Sequence, residues 1–183
     1  MITFKAQYIK PVSIERKGLD SKFHPYQVAL IEFNPKSEQD FLSLNVTNCN
    51  WGNCKTLLHD IMKKFNFLHR GLRMPQEERF FGITKQKEHF DKLEPDKILG
   101  VLQTRRNRQG KFEIENFQVS PNTNYDAIVR DYKGVGKALL EHIKEHFVKE
   151  KEILLDAKKS AIPFYEKFGF IKTGYKNQMI FRR

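Results

Sequence analysis

Between residues 111 and 157 the chain carries a segment order that few folds accommodate. A strand-like run, Lys111–Val119, stops at Ser120-Pro121, and after a polar loop Gly134-Val135-Gly136 opens a helix with Val135, Leu139, Ile143 and Phe147 along one stripe. Ile153-Leu154-Leu155-Asp156-Ala157 then closes the unit as a short apolar strand. A strand without polar alternation is buried on both faces, as in a parallel pair joined through a helix, and such a crossover should be right-handed. Immediately upstream, Ile98–Thr104 and Lys111–Val119 flank Asn107-Arg108-Gln109-Gly110, the pattern of an antiparallel hairpin. One parallel pair and one antiparallel hairpin are therefore expected in the same sheet.

The flanking segments extend that sheet. Ile2–Ala6, Gln27–Phe33 and Arg79–Thr84 read as strands, and Thr56–Phe65 reads as an amphipathic helix with Leu57, Leu58, Ile61 and Phe65 on one face. Ser160 is expected to cap a further helix with Pro163 in its first turn and Gly169 as its stop, followed by the strands Ile171–Tyr175 and Met179–Phe181. At 183 residues the chain is one domain, long enough to bury roughly 70% of its unfolded surface. Its 39% hydrophobic and 30% charged residues exclude disordered and fibrous classes. No apolar run reaches the roughly 20 residues of a spanning helix, and the first residues lack the apolar core of a signal peptide, so no membrane association and a cytoplasmic location are expected.

Metal chemistry is not expected. Cys49, Cys54, His59 and His69 match no usual zinc spacing, and His142 with His146 is interleaved with Lys144 and Glu145, which reads as a solvated helix face. A net charge of +11 favours anionic partners, and Arg105–Lys111 is the densest basic cluster, read as an exposed hairpin tip or a nucleic-acid patch.

Two segments carry chemistry. In Asp131-Tyr132-Lys133-Gly134-Val135-Gly136-Lys137 a loop with two glycines enters a helix, whose free first-turn N–H groups and dipole make an anion site. Glycine would let a phosphate approach without a Cβ in the way. The spacing is neither that of a P-loop nor of a dinucleotide fingerprint. The second segment, Ser160-Ala161-Ile162-Pro163-Phe164-Tyr165-Glu166-Lys167-Phe168-Gly169-Phe170, follows the next strand.

Together, and in this order, the two segments resemble the motifs of the GNAT superfamily of acetyl-CoA-dependent N-acetyltransferases. Gly134, Gly136, Ala161, Phe164, Tyr165, Glu166, Lys167, Gly169 and Phe170 stand where that family's pattern has them. The resemblance covers residues 97–183, the acetyl-CoA-binding core, and leaves residues 1–96 as a divergent N-terminal half on the acceptor side. It implies a fold of the α/β (α+β) class: a mixed, mostly antiparallel sheet with helices on both faces and a central parallel strand pair splayed around the cofactor. It implies that the diphosphate of acetyl-CoA rests on the amides of Tyr132, Lys133, Gly134, Val135, Gly136 and Lys137, that its pantetheine arm pairs with Phe117, Gln118 and Val119, and that Arg130, Asp131, Lys158, Ala161 and Phe164 adjoin it. Tyr165 matches the proton donor to the leaving thiolate, although a tyrosine there also serves as a core aromatic. Glu113 and Glu115, two apart on one side of the preceding strand, are the candidate bases or water-relay carboxylates. Asp131 and Lys158 depart from the pattern, and the loop over residues 122–129 is longer than usual.

The resulting expectation is direct acetyl transfer to a primary amine on a small molecule, peptide or protein. A nucleic-acid-binding use of the same fold, including acetylation of an aminoacyl-tRNA, is the alternative that the basic charge favours.

Overall fold

The computed structural model of the chain describes residues 5–52, 57–72, 77–123 and 130–183. Strands β1 (Gln7–Lys17) and β2 (Phe23–Phe33) form a long antiparallel hairpin that pairs Gln7 with Glu32 and Lys17 with Phe23. The first strand thus lies downstream of Ile2–Ala6: Lys5 and Ala6 precede β1, and Ile2 to Phe4 fall outside the described residues. It escaped the sequence pattern because only Ile14 in it is buried and Pro11 interrupts it. Pro11 is tolerated because β1 is an edge there, where a missing N–H costs no ladder bond.

Helix α1 (Glu38–Asn50) was not foreseen either. It buries polar groups, Asp40, Ser43, Thr47 and Asn48, beside Leu44, so it has no apolar stripe to detect. Hydrogen bonds take the place of that stripe. Ser37 caps the helix by accepting from the Asp40 N–H at 3.3 Å, the Asp40 carboxylate accepts from the N–H groups of Asn34 at 2.8 Å and Ala6 at 3.3 Å, and the Ser43 hydroxyl donates to the Leu93 carbonyl at 2.7 Å. Helix α2 (Leu57–His69) conforms to expectation, burying Leu58, Ile61 and Phe65 and also Met62.

The sheet continues with β3 (Glu78–Thr84), β4 (Ile98–Arg106) and β5 (Phe112–Val119). After the two-residue strand β6 (Tyr132–Lys133) come helix α3 (Val135–His146), β7 (Glu152–Asp156), helix α4 (Ile162–Glu166), β8 (Ile171–Lys172) and β9 (Gln178–Arg182). The strand order is β6-β1-β2-β3-β4-β5-β7-β9-β8, and among the described residues β5 and β7 form the single parallel pair.

Two cores sandwich this sheet. Leu30, Phe81, Ile83, Ile153 and Leu155 pack with Leu139 and Ile143 of α3 on one face, while Ile31, Phe33, Phe80 and Val101 pack with Leu44 of α1 and Ile61 and Phe65 of α2 on the other. His142 belongs to the first core, not to a solvated face: it is 3% exposed, its ring meets Phe81 edge-on at 5.0 Å, and burial pushes its pKa down to about 4. The helix rotates by 100° per residue, and His142 falls next to Ile143 on the flank that the hairpin and β3 cover. Ser160 does not cap α4. It sits in a 3-10 turn over Lys159–Ala161, and α4 is only five residues long, with Ala161 at its N-cap. Gly169, at φ +82°, reverses the chain after it.

Candidate active site

Strands β5 and β7 are paired only from Phe112 opposite Ile153 to Ile114 opposite Leu155. Beyond that point β5 runs on to Val119 against β4, and among the described residues Glu115–Val119 have no strand on their other side. The two strands therefore part, and α3 and α4 stand on one face of the opening.

The chain reaches α3 by a firmly tied route. The Asp131 N–H donates to the Asn122 carbonyl at 3.0 Å, the Lys17 N–H donates to the Asp131 carbonyl at 2.8 Å, and Tyr132 and Lys133 pair with Arg16 and Glu15 of β1. Tyr132 and Lys133 thus extend the sheet rather than form a phosphate loop, and the Tyr132 ring is buried in the core. Arg130 Nε donates back to the Tyr132 carbonyl at 3.3 Å. The loop expected over residues 122–129 is described as far as Thr123; its remainder, residues 124–129, falls outside the described residues. What remains for an anion is the α3 N-terminus, where the amides of Val135, Gly136 and Lys137 lack helical partners.

Both glycines have structural reasons that differ from the one expected. Gly134 is the N-cap of α3 at φ 87°, ψ −4°, a left-handed conformation, and a Cβ built on it would point at Ile14, 3.7 Å from its Cα, not into open space. A Cβ on Gly136 would lie 3.1 Å from the ring tips of both Phe117 and Phe164. Gly136 thus makes room for two aromatic rings, which flank the parted strands with centroids 6.3 Å apart.

Tyr165 is brought to the same place. Its ring contacts Phe117 at 6.5 Å, Phe164 at 5.3 Å and Phe170 at 5.8 Å, it is 8% exposed, and burial pushes its pKa up to about 12. Ala161 packs against the same core, and the exposed Lys158 precedes it by one 3-10 turn, its carbonyl accepting the Ala161 N–H at 2.9 Å.

Glu113 and Glu115 lie on the opposite face from Phe117. Arg105 gathers both, at 3.0 Å from Glu113 and closer to Glu115, and Asn107 Nδ2 donates to Glu113 at 2.6 Å. Glu115 is the extra residue of a bulge, since Asn116 pairs with Gln103 and Ile114 with Thr104. Burial raises its pKa, Arg105 and Lys64 oppose this, and Glu78 and Glu113 add to it. Gln118 is occupied on this face: its Oε1 accepts the Leu58 N–H of α2 at 2.7 Å. A polar row that sequence reasoning missed also ends here. Gln103 donates to Glu78 and accepts from Asn116 Nδ2 at 2.8 Å, and burial raises the Glu78 pKa. Three strands contribute one residue each, so no local spacing announces the row.

The basic cluster Arg105–Lys111 is largely neutralised: Arg105 by the two glutamates, Arg106 by Glu150 at 2.5 Å and Glu77 at 3.6 Å, and Lys111 by Glu152 at 3.5 Å. No helix among the described residues is long and apolar enough to cross a membrane, and no group of three or more His, Cys, Asp or Glu residues there could hold a metal. Cys49 is exposed, and Cys54 falls outside the described residues.

Comparisons with known proteins agree with this geometry. A family model described as acetyltransferase (GNAT) domain matches residues 73–180. Among solved structures, a candidate acetyltransferase from Exiguobacterium sp. 255-15 is similar at TM-score 0.50 and 17% identity, covering 95% of this chain and 94% of its own. A candidate N-acetyltransferase from Lactobacillus plantarum has TM-score 0.54 at 12% identity over 85% and 97% of the two chains. AtaT complexed with acetyl-methionyl-tRNAfMet also has TM-score 0.54 at 12% identity, over 85% and 94%. A search of the curated proteins finds no match. The family match spans more than half of the chain and ends on the strands that close the site, so the chain belongs to the GNAT acetyltransferases, acyltransferases that use acetyl-CoA.

Proposed function

We propose that the chain transfers the acetyl group of acetyl-CoA directly to a primary amine of an acceptor, in the cytoplasm. The observation that carries this reading is the parting of β5 from β7 beyond Ile114 and Leu155, beside the open first turn of α3. The residues fit the donor: the amides of Val135, Gly136 and Lys137 suit a diphosphate, and the Phe117 and Phe164 rings suit the walls of a channel for the pantetheine arm. The unpaired edge over Phe117, Gln118 and Val119 offers backbone hydrogen bonds to that arm. Gly134, Lys133 and Arg130 border the anion end, with Asp131 as an opposing charge, and Lys158, Ala161 and Phe164 border the other wall.

Acetyl-CoA supplies a thioester-activated acetyl group. The attacking amine must be neutral, and Glu115, whose pKa is raised by burial, is the carboxylate suited to take its proton directly or through water. Glu113, bound by both Arg105 and Asn107, is better suited to hold that arrangement in place. As the C–N bond forms and the C–S bond breaks, the Tyr165 hydroxyl is suited to donate to the sulfur. A phenol near 12 is a weaker acid than a thiol by roughly 3 to 4 units, so Tyr165 serves as a hydrogen-bond donor whose proton transfer follows only when the charge on sulfur is developed.

Intact-mass measurement after incubation with acetyl-CoA and an amine panel tests the reading; a gain of one acetyl group on an amine is expected. If acetyl-CoA gives the protein no thermal protection, the reading fails, because a ligand at 100 times its Kd adds about 2.7 kcal/mol. A second reading, with RNA as the carrier of the acceptor amine, is favoured by the net charge of +11.

A further inference from the structure

The loop that joins β3 to β4 forms one wall of an open cleft of about 760 Å³, closed on the other sides by Arg16 of β1, Tyr26 of β2 and Tyr132 of β6. Neither Phe117, Phe164 nor Tyr165 lines it, so it is separate from the parted strands. Five lysine and arginine side chains face it, Arg16, Lys85, Lys87, Lys92 and Lys97, against two carboxylates, Glu88 and Glu94. Glu94 is taken by Lys97 at 2.7 Å. Among the described residues, no carboxylate lies within ion-pairing distance of Arg16, Lys85, Lys87 or Lys92. This contrasts with the hairpin cluster of Arg105, Arg106 and Lys111, whose charges are matched at home.

The cleft is built without help from those cations. Gln86 is 4% exposed, and its amide nitrogen donates to the carbonyls of Glu88 at 2.9 Å, His89 at 2.7 Å and Lys92 at 3.1 Å, while its oxygen accepts the Glu94 N–H at 2.9 Å. One buried side chain thus fixes the curve of the loop and leaves its lysines free for a ligand. On the floor, Arg16 lies over the Tyr26 ring at 5.4 Å and Lys85 over the Tyr132 ring at 5.8 Å, so two of the cations are already ordered before anything binds. Gathering like charges in this way is unfavourable until an anion neutralises them. Small-molecule sites are enclosed and mostly apolar, whereas this cleft is open and its cations come from two separate elements, an arrangement suited to successive phosphates of a chain.

We propose that this cleft binds the phosphodiester backbone of a single-stranded nucleic acid, with Lys85, Lys87, Lys92 and Arg16 on its phosphates. The inference stands apart from acetyl transfer and concerns a ligand site, whichever amine is acetylated.

The test is fluorescence anisotropy of the full chain with end-labelled single-stranded RNA and DNA 12-mers of one sequence, from 50 to 200 mM salt. Three to four phosphate contacts should give a log–log salt slope of about −2 to −3, a loss of roughly 20- to 50-fold across that range. Lys87→Gln with Lys92→Gln should lower the slope by about 1.4 and weaken binding at least tenfold at 50 mM salt. Arg108→Gln with Lys111→Gln, which removes the same charge from the hairpin, should change binding less than threefold. RNA alone, DNA alone or both binding in this pattern supports the site and names its source. The proposal is overturned by absent binding, by equal loss in the two double variants, or by poly-glutamate or inorganic triphosphate competing as well as the 12-mer. Thermal protection by acetyl-CoA, measured on the same variants, should be unchanged; its loss in the wild-type chain would count against acetyl transfer and not against the cleft.

Discussion

Gly134 offers the sharpest test of how the α3 N-terminus is built. Two accounts of this glycine make different demands. In the first, the position must lack a Cβ so that a phosphate can approach; in the second, it must tolerate φ 87°, because a Cβ there would meet only Ile14 at an ordinary 3.7 Å. The structure favours the second. Gly134→Ala forces an L-residue into a left-handed conformation at about 1–2 kcal/mol, offset in part by about 0.4–1 kcal/mol from restricting the unfolded chain. The net loss is up to about 1.6 kcal/mol and centres on about 0.8 kcal/mol, which for a chain of this length lowers Tm by roughly 2–3 °C and at most about 6 °C. Because the strain relaxes into the turn that presents the first-turn amides, acetyl-CoA affinity should fall by up to about tenfold. Gly134→Asn is the discriminating variant, since asparagine visits the left-handed region far more readily than alanine. Thermal melts and calorimetric titration of acetyl-CoA should place Asn near wild type and Ala below it in both readouts. If Asn is as damaging as Ala to affinity while both melt like wild type, the Cβ obstructs the phosphate and the conformational account is wrong.

Other expected outcomes follow from the same geometry. Tyr165→Phe should lower turnover by roughly 10²–10⁴-fold with acetyl-CoA affinity nearly unchanged, measured by steady-state kinetics and titration; an unaffected rate would make Tyr165 a core aromatic only. Glu115→Gln should abolish the acid limb of the rate profile, because the wild-type rate should fall as the pH drops through the raised pKa of that carboxyl; an identical limb in the variant assigns the proton transfer elsewhere. Between pH 4 and 6 two buried groups act on stability in opposite directions. His142, held near 4, refuses a proton that the unfolded chain takes and so loses stability as the pH falls, while Asp40, held at about 6, keeps a proton that the unfolded chain releases and so loses stability as the pH rises. Each group's slope approaches about 1.4 kcal/mol per pH unit, so urea melts should show slope changes of opposite sign, relative to the wild-type chain, in His142→Leu and Asp40→Asn; changes of the same sign would refute the reasoning.

What could be read from the sequence was what local pattern and spacing encode. The helix of Val135, Leu139 and Ile143, the β4–β5 hairpin and the parallel pair with β7 all stand where apolar periodicity and turn residues put them. Helix α1 was illegible because its buried face is made of Asp40, Ser43 and Thr47, whose burial is stabilised by hydrogen bonds to distant segments. His142 was misjudged because its neighbours in sequence, Glu141 and Lys144, are polar, whereas its neighbour in space is Phe81. The site followed the same division. Gly134, Gly136 and Tyr165 lie in contiguous motifs, but the row Glu78, Gln103 and Asn116 exists only once three strands are side by side, and the capture of Glu115 by Arg105 only once β4 and β5 pair around the bulge.

The alternation of β5 ties these pieces into one proposed reaction path. Phe112, Ile114 and Phe117 pack towards α3 and α4, whereas Glu113, Glu115 and Gln118 turn to the α2 side, the bulge at Glu115 shifting the alternation by one residue where the strand leaves β7. In the proposed reaction the thioester arrives from the aromatic face, between Phe117 and Phe164, and the amine arrives from the polar face beside Glu115. The sheet itself then separates the two chemistries, a low-dielectric wall that keeps the Tyr165 phenol protonated and a charged wall that can accept the amine's proton. In that proposed path, the opening between β5 and β7 is where both reach the same carbonyl carbon. A residue that closed this opening would stop transfer while leaving both walls, and both pKa shifts, in place.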